Sequence, residues 1–281
     1  MNSLDFFLID ATAFCYRAFY AVRGLATSYG QPTNAIFGFL NILQKMIKEY
    51  DPAYLAVCFD VSRDTFRQKK FAEYKVQRPP MPDGLTSQMP YIKELVEAYQ
   101  ITLFEKEGFE ADDIIATIVK KAKAMDVAIT IVSADKDMLQ LVDERTRVLS
   151  PAKENDVLYD VEAVKQRFGV GPERICDILA LAGDDVDNIP GVPGVGEKTA
   201  IDLLKKFQTL EALLAEPEKI AKEKLRAAII AHKDRIILNK ELAALDSAVD
   251  VDFSLEKVKR NKPDERKLFR LFKQLEFKSL L

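Results

Sequence analysis

The sequence predicts an α/β fold in which a parallel sheet occupies the first part of the chain and an all-helical part follows. Short apolar runs, each bounded by polar or turn residues, alternate with longer segments of helical period, as in sheets buried on both faces. Consecutive runs are separated by tens of residues, a length parallel strands need and hairpins do not. From about Val170 the strand signals fade.

In chain order, residues 4–9 form the first predicted strand. The run lacks a basic leader and acids interrupt it early, so it reads as a strand and not as a secretory signal. Residues 35–50 are helical in period, 54–59 form the second strand, 101–104 a third, and 112–125 a helix. Residues 128–132 and 146–149 complete the predicted sheet. Beyond a boundary placed near residues 168–171, segments 173–182, 197–207, 218–245 and 264–275 are helical, with Gly and Pro between them. The expected division is residues 1–168 and 169–281.

Composition excludes several classes. With 281 residues, 48% of them apolar, the chain has material for a full core and no signature of disorder. No span approaches the roughly 20 apolar residues of a membrane helix. Cys15, Cys58 and Cys176 are far apart and lack metal-type spacing, so they read as buried thiols of a soluble, cytoplasmic protein. A net charge of −3 argues weakly against a nucleic-acid partner, but setting nine clustered acids aside leaves +6, so distribution outweighs the sum.

One stretch breaks the order. Residues 62–78, SRDTFRQKKFAEYKVQR, place six basic residues (Arg63, Arg67, Lys69, Lys70, Lys75, Arg78) against two acids. Charge runs are usually solvated faces. Here the bias of sign and the interleaved Phe66, Phe71 and Tyr74 favour a phosphate-binding segment rising over the strand that ends at Asp60.

Three strands end in acids: Asp10, Asp60, and the pair Asp135 and Asp137. The carboxyl ends of parallel strands share one edge, where ligands bind, so these four should converge. Glu110, Asp112 and Asp113 open a helix, with Glu110 and Asp113 three apart and hence on one side. Asp184 and Asp187 lie in a Gly/Asn loop. Singly, each group has a plain explanation in helix dipoles, caps or turns. Together they would repel strongly, and with few basic neighbours in sequence the natural compensation is bound cations. All-oxygen donors, with the lone His232 far off, exclude a zinc-type site and suit magnesium or manganese. Magnesium takes only one or two carboxylates directly, so this many acids imply two ions, the arrangement used for attack on a phosphodiester.

Residues 189–200 read IPGVPGVGEKTA. The spacing is not that of a P-loop and no strand precedes it. A tight helix connection is the plain reading; the functional one is a hairpin gripping a duplex backbone, with Gly191, Gly194 and Gly196 freeing amides and Lys198 and Thr199 beside them.

These motifs (LID at Asp10, CFD at Asp60, FEADD at Glu110, SADKD at Asp135, GDDVDNIPG at Asp184) resemble, end to end, the 5′-nuclease domain of bacterial DNA polymerase I, within the flap endonuclease family. The resemblance implies a PIN-like core, a helical arch at about residues 62–90 and a helix–three-turn–helix element. It implies one metal site at Asp10, Asp60, Glu110 and Asp112, another at Asp135, Asp137, Asp184 and Asp187, and Asp113 bordering both. Catalytic roles on the phosphate fall to Lys75 and Arg78. DNA contacts fall to Tyr16, Arg17, Arg23, Arg67, Tyr74 and the glycine loop, which would also hold a potassium ion. The activity implied is two-metal hydrolysis of DNA 5′ flaps and 5′ ends in replication and repair, with magnesium or manganese as cofactor. RNA–DNA hybrids are a further substrate, and a polymerase in cis or in trans a partner. The alternatives are a junction-binding protein without turnover and a PIN-type ribonuclease.

Overall fold

The computed structural model describes residues 5–152 and 155–281. Leu4, the predicted first strand residue, lies outside them. The first part contains β1 (Asp5–Asp10), α1 (Ala11–Ala21), α2 (Asn34–Tyr50), β2 (Tyr54–Cys58), α3 (Phe66–Lys70), α4 (Asp83–Thr86), α5 (Met89–Ala98) and β3 (Thr102–Phe104). It continues with α6 (Ala111–Lys123), β4 (Ala128–Val132), β5 (Thr146–Ser150), β6 (Val157–Tyr159) and α7 (Val161–Phe168). A 3-10 turn, Lys136–Leu141, follows β4.

The six strands run in the order β3-β2-β1-β4-β5-β6. All are parallel except the edge strand β6, which pairs antiparallel with β5 and makes the sheet mixed. Chain order reverses between β2 and β4 on either side of β1, which is the switch point where such sheets open a crevice at their carboxyl ends. Alternate residues of β1 face opposite layers. Phe7 and Ile9 pack with Phe14, Phe39, Leu43 and Leu95 of α1, α2 and α5. Phe6 and Leu8 pack with Ile114, Ile115 and Ile118 of α6 and the apolar faces of later helices. Truncating such a side chain, for instance Leu8→Ala, costs about 2–5 kcal/mol.

The second part holds α8 (Ile175–Ala182), a two-stranded hairpin of β7 (Gly183–Asp184) and β8 (Ile189–Pro190), then α9 (Glu197–Phe207) and α10 (Leu210–Ala215). After these come α11 (Glu223–Ala231), α12 (Lys233–Ala243), α13 (Leu255–Val258) and α14 (Glu265–Gln274). It is thus not purely helical, and the long helix expected over 218–245 is broken at His232, which caps α11 and opens α12. The chain then returns to the first part. Phe253 stacks on Phe6 with ring centroids 5.8 Å apart, Arg260 N–H donates to Ala53 O, and α14 packs on α5.

Residues 62–90 contain only α3, α4 and the start of α5. Between α3 and α4 the chain forms turns, so in place of a helical arch there is a strap, residues 71–82. Among the described residues no helix is long and apolar enough to cross a membrane.

Candidate active site

Each strand delivers its acid to the same edge. Asp10 closes β1, where its side chain caps α1 and accepts from Ser133 Oγ at 2.9 Å. Asp60 lies two residues past β2, and the first amide of α6, Ala111 N–H, donates to its Oδ1 at 2.8 Å. That bond brings the acids of α6 against the end of β2. Ser133, just past β4, also accepts from Asp135 N–H, and Asp135 Oδ1 accepts from Asp137 N–H at 2.9 Å, capping the 3-10 turn. Asp184 and Asp187 arrive on the β7–β8 hairpin.

The cluster divides in two. Asp187 pairs with Arg78 at 2.6 Å and with Lys75 at 3.4 Å. Lys75 reaches Glu110 Oε1 at 2.7 Å, and Lys136 reaches Asp184 at 3.0 Å. Asp113 pairs with Arg67 at 2.7 Å. Few basic residues neighbour the acids in sequence, yet four cations stand beside them in the fold. The strap brings Lys75 from thirty-five residues upstream of Glu110.

The other five acids have no ion-pair partner among the described residues, and all five are pushed upward. Burial and then Asp60 raise Asp10 to about 7. Burial and then Asp135 raise Asp137 to about 8. Burial is also the first cause at Asp60, Asp112 and Asp135, followed among the raising charges by Glu110, Asp10 and Asp187 respectively. Charged oxygens crowded out of water are poised to accept a cation.

The donor set fits a hard divalent ion. All donors are carboxylate oxygens, and Asp137 Oδ1 is buried with no hydrogen-bond partner, an orphan that a bound cation would satisfy. Among the described residues no three acids are drawn into a closed coordination shell. Instead Lys75 stands among them, its charge counteracting the rise at Asp60, Asp112 and Asp135.

Three residues assigned from sequence sit differently. Arg67, expected on DNA, is 1% exposed, and all its N–H donors are used inside the protein. Asp113, expected to border both metal sites, is fully buried with both oxygens engaged by Arg67 and by the amides of Glu110 and Asp246. Asp112 and Asp113 are adjacent on a helix and diverge by about 100°, so the two cannot point into one site. Tyr74, expected against DNA, is 2% exposed and its hydroxyl lies between Glu110 Oε2 at 3.1 Å and Asp187 Oδ2 at 2.9 Å. Ser133, Thr12 and Lys136 escaped sequence reasoning, although Ser133 and Lys136 lie inside the SADKD motif.

Of the remaining residues, Arg17 and Arg23 are exposed and Tyr16 half-buried on and just after α1, with Arg17 Nη1 donating to Pro151 O at 2.6 Å. In the glycine loop, buried Val192 and Val195 anchor the turn, and Val192 N–H donates to Leu181 O. Gly194 has φ +82° and Gly196 caps α9; a Cβ at either would meet open space, with exposed Lys198 and half-buried Thr199 beside them. Gly191 differs: a Cβ there would lie 2.0 Å from Ala182 O, so it serves a close approach to the end of α8.

Comparison with known proteins places residues 5–169 in the family described as 5′-3′ exonuclease, N-terminal resolvase-like domain, and residues 170–266 in 5′-3′ exonuclease, C-terminal SAM fold. The chain is 44% identical over 275 residues to the 5′-3′ exonuclease of Aquifex aeolicus, covering 98% of this chain and 93% of that one. It is 41% identical over 276 residues to DNA polymerase I of Bacillus subtilis, covering 98% of this chain but only 31% of that relative. Among solved structures, the flap endonuclease of bacteriophage T5 in complex with DNA and metal ions superposes with a TM-score of 0.73 at 21% identity, over 97% of this chain and 99% of that one.

Proposed function

The chain belongs to the 5′-3′ exonuclease family, and on that premise we propose that its acid cluster hydrolyses phosphodiester bonds at DNA 5′ flaps and 5′ ends, as replication and repair require. It is a nuclease of that family; flap preference, action on RNA–DNA hybrids and cooperation with a polymerase belong to the proposal. The chain spans about a third of its polymerase I relatives, so their other activities are not carried over. The observation that supports the reading best is the set of five unpaired, upward-shifted carboxylates at one sheet edge beside Lys75 and Arg78.

Asp10, Asp60, Glu110 and Asp112 would hold one divalent ion, and Asp135, Asp137, Asp184 and Asp187 another, magnesium or manganese by the hardness of the donors. When bound, such ions supply the positive charge that lets the acids ionise together and that an attacked phosphodiester requires. Lys75 and Arg78, each paired with an acid of the cluster, would bind and orient the phosphate. The amides of Gly194, Gly196 and the first turn of α9 would grip the duplex backbone without reading sequence. Potassium at that loop remains part of the proposal, as do Tyr16, Arg17 and Arg23 on the incoming strand and the division near residue 168.

Single-turnover cleavage of a 5′-labelled flap duplex, in magnesium and then in EDTA, tests the reading. Magnesium-dependent release near the junction is expected. Tight binding without cleavage in magnesium or manganese would favour a junction-binding role, and preference for an RNA substrate would favour a PIN-type ribonuclease.

A further inference from the structure

We propose that Arg67 and Asp113 are a positioning pair for the hydrolytic site, fixing Glu110 and the root of the strap against the end of α12. The inference rests on the nuclease reading above. Arg67 Nη1 and Nη2 hold the two oxygens of Asp113 at 2.7 Å each, the two-pronged geometry that only a guanidinium offers. Its other N–H groups donate to Glu110 Oε2 at 3.1 Å and to Leu242 O and Ala244 O at 2.8 Å. All five donors are thereby used, and the side chain is 1% exposed.

Three chain segments meet at this pair. Arg67 lies on α3, from which the strap departs; Asp113 and Glu110 lie at the start of α6; Leu242 and Ala244 end α12, where helix carbonyls lack internal partners. Asp113 takes two further amides, Glu110 N–H at 3.2 Å and Asp246 N–H at 2.8 Å, closing the junction. Glu110 is the shared member. Its Oε2 accepts from Arg67 and from the Tyr74 hydroxyl, and its Oε1 faces Lys75 at 2.7 Å, so the guanidinium fixes which oxygen is left to Lys75 and the site. A buried pair of charges is weak support for stability, because two hydrophobes of similar size often serve as well. Holding a functional carboxylate is a role that hydrophobes cannot take over.

The test separates positioning from folding. Arg67→Met alone strands the Asp113 charge and should unfold at a lower temperature than the parent. Arg67→Met with Asp113→Asn removes both charges and should regain part of that loss. The expected signature in the double variant is magnesium affinity, by calorimetry without DNA, weakened about 10-fold or more, the effect typical of losing a ligand's outer partner. Single-turnover flap cleavage at saturating substrate should fall at least as far, with flap affinity nearly unchanged. Arg67→Lys keeps the charge but cannot span Asp113, Glu110 and both carbonyls at once, so it should show the same pattern while folded. Magnesium affinity or cleavage rate staying at the parental value in either folded variant would overturn the proposal. So would a loss of flap affinity at parental rate, or failure of both variants to fold, which would leave the pair purely structural. A parent that does not cleave would sink the nuclease reading, whereas the magnesium titration would still report on the pair.

Discussion

The Lys75 ammonium sits 2.7 Å from Glu110 Oε1, a cation from the strap placed in the middle of an acidic cleft. Burial opposes its charge, but Glu110, Asp187 and Asp112 outweigh burial and hold its pKa above the ordinary lysine value in the metal-free site. An amine held charged by these acids is poorly suited to act as a base and well suited to bind phosphate.

Lys75→Ala should therefore lower the single-turnover cleavage rate by about 10²–10³-fold, the usual loss on removing one donor from developing charge. Flap affinity, read by fluorescence anisotropy, should hardly change. Equal losses in rate and affinity would reduce Lys75 to a binding residue.

Stability of the metal-free protein should depend on pH in the direction the raised acids dictate. Asp10 and Asp137 titrate at about 7 and about 8 when folded, against 3.8 for the ordinary side chain. Groups raised on folding contribute stability that is fully present below the unfolded pKa and is lost as pH rises through the folded one. Melting temperature in EDTA should thus fall between about pH 4 and pH 8, and saturating magnesium should flatten that slope. A metal-free melting temperature that climbs through this window would contradict the repulsion seen among the five unpaired acids.

Asp135→Asn should raise the melting temperature in EDTA at pH 8 while abolishing cleavage. The amide oxygen can keep the cap to Asp137 N–H, and one of the crowded charges disappears. One kcal/mol shifts the melting point of a chain this size by about 2–4 °C, within reach of scanning calorimetry. A lower melting point would mean that Asp135 is satisfied as an anion without metal.

Two glycines of the same loop motif, two and seven residues past Ile189, should lose very different amounts of stability to a methyl group. Gly191→Ala must displace backbone, since the new carbon would stand 2.0 Å from Ala182 O, and overpacking of this kind costs about 1–3 kcal/mol or more. Gly196→Ala meets nothing within 4 Å and has φ −92°, so the loss should be only that of a poorer helix cap, about 1 kcal/mol or less. Thermal melts of the two variants decide, and similar curves would refute the close approach of Gly191 to the end of α8.

Much of the site was legible because it is written in short range. β1, β2 and β4 are apolar runs whose acids follow within a few residues, so the shared edge could be inferred before any contact was known. What failed to read was the direction of side chains on short or irregular elements. Arg67 stands among Lys69 and Lys70 in a five-residue helix, and nothing local separates the one buried cation from its exposed neighbours. Its partner did leave a trace: consecutive acids at the head of an apolar helix cannot share a target, so one of them required a partner elsewhere. Strand β6 escaped because it is three residues long and half exposed at the sheet's edge. Tyr74 read as an aromatic among basic residues, and only the fold of the strap turned it inward.

The β7–β8 hairpin joins two of the proposed roles without an intervening joint. Asp184 and Asp187 sit on it, and Gly194, the first glycine of the proposed duplex grip, follows four residues after Pro190. Asn239 pins the far end by donating to both Pro190 O and Ala180 O. On these roles the molecule carries a ruler: the span from the held backbone to the severed bond is set by a few covalently linked residues, and the place of the incision is measured, not searched for.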